Sequence, residues 1–105
     1  MGPMQGTRVL EIGDRGEHAG KLLADAGADV IRVEPPGGST RRDIGPFPGD
    51  RPDRNACLTF LYLNTNKRGI TLDVTTVQGR DLWRRLVETA DIVLDSSINI
   101  EVLAQ

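Results

Sequence analysis

A chain of 105 residues, 38% of them apolar, can bury one modest core and makes one small domain or part of a larger one. Its 13 lysines and arginines against 15 aspartates and glutamates leave a formal charge of −2, so there is no general basic field for nucleic acid or an anionic membrane. One cysteine, Cys57, excludes an intrachain disulfide and a thiolate metal cluster. No apolar run approaches the roughly 20 residues of a membrane span. The opening MGPMQGT has neither the basic nor the apolar part of a signal peptide, and the expected location is the cytoplasm.

Residues 1–6 read as a flexible lead-in. Arg8 to Ile12 is a β-prone run. Ala19, Leu22, Leu23 and Ala26 recur at i, i+3, i+4 and i+7, which predicts a helix with those residues inward. Gly27 stands where the helix must stop, because only glycine takes the left-handed C′ conformation at little steric cost. Val30, Ile31 and Val33 make a second strand. Two strands joined by such a helix pair in parallel through a right-handed crossover, the opening unit of a Rossmann-like, doubly wound α/β sheet.

Ligands of such sheets bind outside the carboxyl ends of the strands. That directs attention to Gly13–His18 and to the loop opening after Glu34. The glycines fall at 13, 16 and 20, not at the spacing of a dinucleotide fingerprint, and read first as turn and packing residues. Free N–H groups at the start of the helix can still receive an anion. The lone histidine, His18, has no second titratable partner in view.

Pro35 to Gly38 end the strand, and the aperiodic loop over 35–55 follows, mixing Arg41, Arg42, Arg51 and Arg54 with Asp43, Asp50 and Asp53. It is either a self-paired surface or an anion clamp. Ala56 to Leu63 reads as a short buried helix containing a packed Cys57 thiol, and residues 64–69 as a turn with Lys67 and Arg68 as candidate cations. Ile70 to Val74 is the third strand. Thr75 and Gln78 have the spacing of a capping box for a helix over 76–89, with Leu82, Leu86, Val87 and Ala90 inward. Trp83 reads as core or edge. Asp91 to Asp95 is the fourth strand, after which Ser96 and Ser97 cap a last helix. About four strands with crossover helices make an incomplete doubly wound sheet. No nucleophile triad, acid pair or metal cluster has defined spacing.

The blocks LLADAGADVIRVEPPGG, RRDIGPF, FLYLNTNKRGITLD, QGRDL and ADIVLD, in this order, resemble the amino-terminal part of class III coenzyme A transferases of the CaiB/BaiF type. The resemblance runs from residue 4 to about residue 97, with LNTNKRGITLD its most specific part. The same family includes 2-methylacyl-CoA racemases. It implies a coenzyme A site on a Rossmann-like large domain, in longer enzymes whose subunits interlock.

Leu72, Asp73 and Thr75 correspond to one CoA-contact segment, where family members often carry lysine in place of Thr75. Ser96 and Ser97 correspond to another, where asparagine and an aromatic residue are usual. Arg15 and Gly16 stand in a first loop that lacks the common Ala-Gly-Pro and is shorter than usual. Arg42 and the 13–17 turn would offer donors to the CoA phosphates, and Leu72 an apolar slot for adenine. The aspartate nucleophile of the transferases and the acid/base pair of the racemases lie downstream of this chain. The resemblance therefore implies no catalytic residue here, no metal, inactivity alone, and association with a second copy or a partner chain. Two other readings compete. VLEIG with Glu34 also fits an S-adenosylmethionine- or NAD-binding domain, and a non-catalytic association module would need no ligand.

Overall fold

The computed structural model describes residues 2–96. Strands β1 (Arg8–Ile12), β2 (Asp29–Glu34), β3 (Arg68–Thr71) and β4 (Ile92–Asp95) alternate with helices α1 (Glu17–Asp25), α2 (Leu58–Leu63) and α3 (Val77–Thr89). They form one parallel sheet in the order β3-β2-β1-β4. The chain travels outward from β1 through β2 to β3, then returns to lay β4 on the other side of β1. The two crossovers run in opposite directions along the sheet and put α1 and α3 on opposite faces, so the sheet is doubly wound as expected.

The strand alternation sorts the core accordingly. Val9 and Val30 point to one face and pack with Ala24, Ala28 and Leu23. Leu10, Ile12, Ile31 and Val33 point to the other and pack with Trp83, Leu86 and Ala90. Each such fully buried valine or leucine stabilises the fold by about 1.5–3 kcal/mol. Trp83 is therefore a half-buried core residue.

Helix α1 stops as expected. Gly27 has φ +102, and two bonds close the end: Gly27 N–H to the Ala24 carbonyl and Ala28 N–H to the Leu23 carbonyl, both at 3.0 Å. That is a Schellman motif. Its inward face differs from the periodicity, however. Leu22 is 56% exposed and Ala19 is exposed, while Glu17, Gly20 and Ala24 are buried. A polar neighbourhood beneath the first turn draws Glu17 in, and that rotates the leucine out.

Three other expectations are corrected. β3 spans Arg68–Thr71 rather than 70–74 and is exposed throughout, because it is the sheet edge and the chain turns away at Asp73. The cap of α3 is Thr76, whose hydroxyl accepts from Gly79 N–H at 2.9 Å; Thr75 instead donates its hydroxyl to the Asp73 carboxylate. On α3, Leu82 and Val87 are 47% and 36% exposed, so the contact stripe is only Trp83, Leu86 and Ala90.

Helix α2 is short as predicted, but among its residues only Phe60 is buried. Cys57 just before it is buried, with its thiol 3.4 Å from the Arg41 carbonyl. The loop between β2 and α2 contains two short 3-10 turns, Thr40–Asp43 and Pro48–Asp50. Met4 N–H donates to the Ala26 carbonyl at 2.9 Å, which docks the lead-in beneath the end of α1. Ser97 and the helix expected after it lie outside the described residues.

Candidate functional site

At the carboxyl ends of β1, β2 and β3 lies a cleft of about 270 Å³. Its walls are Gly13 and Asp14 after β1, the Gly38–Thr40 stretch of the long loop, and Leu72, Asp73 and Thr75 after β3; Ile12 and Val33 add apolar surface. The size is near the lower end for small-molecule sites, and the lining joins apolar side chains with a few polar ones. Leu72 N–H bonds the Glu34 carbonyl at 2.9 Å, holding this segment to the sheet just before it departs. Asp73 then accepts from Thr75 N–H at 3.0 Å and from the Thr75 hydroxyl. Those bonds, the hydroxyl first, hold its carboxyl below the ordinary value of 3.8. Asp73 is thus a fixed carboxylate at the rim.

Strand order reverses between β1 and β4, which makes the crevice there the topological switch point. Arg15 N–H donates to the Ser96 hydroxyl oxygen at 3.0 Å, and Ser96 N–H donates to the Ile12 carbonyl at 3.0 Å. Gly16 sits over Leu94, where an added Cβ would meet the leucine at 3.4 Å. Arg15, Gly16 and Ser96 are therefore brought together, next to the cleft that holds Leu72, Asp73 and Thr75.

Arg42 is elsewhere. It lines a second hollow of about 150 Å³ with Phe60 and Lys67. Its guanidinium clamps both oxygens of Glu34, at 2.8 and 2.7 Å, and lies 4.1 Å over the Phe60 ring. The Arg42 hydrogen bonds, with help from Ser39 N–H, hold the Glu34 carboxyl below its ordinary 4.5 against the effect of burial. Ser97 lies outside the described residues.

Beneath the first turn of α1 is a group that sequence reasoning missed. Glu11 and Arg32 are register partners on β1 and β2, and their side chains pair at 2.6 Å while 0% and 3% exposed. Lys67, 1% exposed, reaches the other Glu11 oxygen at 2.7 Å and donates to the Glu17 carbonyl and the Asn64 side-chain oxygen, each at 3.0 Å. Glu17 is held by Asn64 at 2.7 Å and Arg41 at 3.1 Å. Gly20 lets α1 settle directly on this cluster; a Cβ there would stand 1.8 Å from a Glu11 oxygen.

Burial pulls the Lys67 ammonium below its ordinary pKa, opposed by Glu11. Burial acts the same way on Arg32, yet the Glu11 hydrogen bond and the charges around it hold the guanidinium above its usual range. Lys67 is thus an internal cation, and Arg68 pairs with Asp29 at 2.6 Å on the surface. The signal available in the sequence was one charge inside each apolar strand, of opposite sign: Glu11 in VLEI and Arg32 in VIRV. Among the described residues, no group of three or more His, Cys, Asp or Glu is placed to hold a metal ion, and no helix is long and apolar enough to cross a membrane.

The model of CoA-transferase family III matches residues 4–103. The chain is 39% identical over 90 residues to the succinyl-CoA:(R)-benzylsuccinate CoA-transferase subunit BbsE of Thauera aromatica, covering 85% of this chain and 22% of that protein. It is 42% identical over 99 residues to the succinate–glutarate CoA-transferase of Agrobacterium fabrum, covering 90% and 25%. The crystal structure of Rv3272 from Mycobacterium tuberculosis superposes with a TM-score of 0.77 at 40% identity, over 90% of this chain and 25% of that one. The chain spans about a quarter of the length of these relatives. With its parallel sheet, its strand-end cleft and this continuous match, the chain corresponds to an amino-terminal portion of such proteins and belongs to CoA-transferase family III.

Proposed function

We propose that this chain supplies the coenzyme A-binding cleft of an enzyme that moves CoA between an acyl-CoA and a carboxylic acid, and that the transfer itself needs polypeptide beyond it. The observation that carries this reading is the meeting of Leu72, Asp73 and Thr75 with the 13–14 loop in one cleft beside the switch point. CoA brings an adenine that needs an apolar slot and phosphates that need donors. Leu72 offers the slot. Ser96, Ser97, Arg15 and the N–H groups around Gly16 are the proposed donors, while Thr75, whose N–H and hydroxyl go to Asp73, contributes to the wall. Arg42 enters through the loop it anchors, since Glu34 already engages its guanidinium.

The two carboxylates lining the cleft are each fixed through one oxygen, Oδ1: Asp14 by Arg32 and Ser39, Asp73 by Thr75. We assign no catalytic residue, because the family resemblance puts the attacking aspartate in polypeptide beyond this chain. A NAD- or S-adenosylmethionine-type site is disfavoured because the acid ending the second strand, which would accept the ribose hydroxyls, is Glu34, and both its oxygens are taken by Arg42 and Ser39 N–H. Transfer is favoured over racemisation because the relatives described above are named for CoA transfer.

The exposed Leu58, Leu61 and Tyr62 and the open β3 edge support assembly with a second copy or a partner chain. Calorimetric titration with CoA, NAD and S-adenosylmethionine tests the reading. It expects heat with CoA alone and no transferase turnover by this chain. Tight binding of either other cofactor overturns the ligand, turnover overturns the need for further polypeptide, and a monomer by light scattering at all concentrations overturns the assembly.

A further inference from the structure

We propose that Arg32 is the positioning residue of this cleft, fixing the separation of its two loop walls through Asp14. Its consequence for ligand affinity rests on the coenzyme A reading above; the loop geometry does not. Arg32 rises from the middle of β2, 3% exposed, with Glu11 neutralising it. Its Nη1 donates to Glu11 and also to the Gly13 carbonyl at 2.8 Å. Its Nη2 donates to the Asp14 carboxylate at 2.7 Å. The same Asp14 oxygen accepts from the Ser39 hydroxyl at 2.7 Å, and Ser39 N–H donates to Glu34 at 2.7 Å.

The 13–14 wall therefore hangs from one guanidinium rooted in the sheet, and the 38–40 wall, which Glu34 and Arg54 also hold, is set against it through the shared Asp14 oxygen. A pair serving stability alone would need only Glu11. The two further bonds leave the core and end on loops, where the planar fork of arginine serves three acceptors that a lysine ammonium cannot reach together. Glu11, with a Glu17 oxygen 4.0 Å away, makes the burial tolerable, and Gly13, Asp14 and Ser39 convert it into a fixed opening. Sites are most reproducible when loops are held by such buried supports.

Two substitutions separate support from stability. Asp14→Ala removes the bridge and keeps the Arg32–Glu11 pair; Arg32→Lys keeps a charge opposite Glu11 and loses the fork. Amide hydrogen exchange, urea unfolding and CoA titration are measured on each full chain. Asp14→Ala should unfold near the parent's urea midpoint, yet exchange faster at residues 13–16 and 38–41 with β1 and β2 unchanged. CoA binding should weaken by about tenfold, as for one lost charged hydrogen bond. Asp14→Asn, which keeps the acceptor oxygen, should recover most of both readouts, and Arg32→Lys should match Asp14→Ala; should Arg32→Lys fail to fold, the two Asp14 variants decide. Unchanged exchange in both loops of Asp14→Ala overturns the proposal. Unchanged CoA affinity, in a parent that binds CoA, overturns its functional consequence. A parent that binds no CoA refutes the ligand reading, and the exchange result then judges Arg32 by itself.

Discussion

The two faces of this sheet are built from the same two central strands and reach stability by different routes. Under α3 the side chains are Leu10, Ile12, Ile31 and Val33, all apolar. Under α1 the amino end is apolar, Val9 and Val30, but the carboxyl end is ionic, Glu11, Arg32 and Glu34. Apolar contacts are summed over many small terms, so a deletion costs what it removes and the cavity it leaves. A buried ion pair is conditional: removing one partner strands the other. Arg32 of the ionic half lines the cleft beside Ile12 and Val33 of the apolar face, so the part of the core that fixes the loop walls is the part least tolerant of change.

The largest effect should come from stranding a charge. Glu11→Ala leaves Arg32 and Lys67 without their shared anion and should cost about 3–5 kcal/mol in urea unfolding. The double change Glu11→Leu with Arg32→Leu leaves Lys67 beside Glu17 and should cost less than Glu11→Ala alone, a non-additivity that apolar pairs do not show. On the other face, Leu10→Ala should cost about 3 kcal/mol, and pairing it with Val33→Ala should cost no less than either alone.

Acid tests the paired carboxylates against the apolar core. Glu34, held below 4.5 by Arg42, adds stability above its unfolded value and loses it as pH falls through the depressed folded value. Asp29, at the partly exposed start of β2 and held below 3.8 mainly by Arg68, acts in the same direction. Stability should therefore fall from about pH 5 downward. Arg42→Gln should flatten that limb, and Leu10→Ala should shift the whole curve without changing its slope. The smallest effect tests the cap: Thr76→Ala should cost about 1 kcal/mol and Thr75→Ala less, measured by thermal melting.

The framework was legible because it follows from short-range pattern. Runs such as Val9–Leu10 and Val30–Ile31, with Gly27 after the helix, are enough to set two parallel strands and one crossover. The strand-end rule and the LNTNKRGITLD block together pointed to Leu72, Asp73 and Thr75, which share one cleft. What failed depends on neighbours. Leu22 looks inward by period, but Glu17 and Gly20 face a polar cluster assembled from Glu11, Asn64 and Lys67, distant in sequence. Lys67 looked like a surface cation for the same reason. The limits of β3 depend on its being the edge, which no local pattern reveals, and Thr75 and Thr76 both fit a cap until the Asp73 turn takes one of them. Arg42 looked free because its partner Glu34 becomes its neighbour only when the long loop folds back.

The facing of Glu11 and Arg32 has one more effect, on how the strands find their alignment. Sliding β2 by two residues would return every side chain to its own side of the sheet, so greasy contacts alone discriminate poorly against that frame error. After such a slide Glu11 would confront either Val30 or Glu34 in place of Arg32. A carboxylate opposite a valine or opposite a second carboxylate cannot be tolerated in the dry interior, and so the ionic couple proofreads the one mistake that oil would let pass.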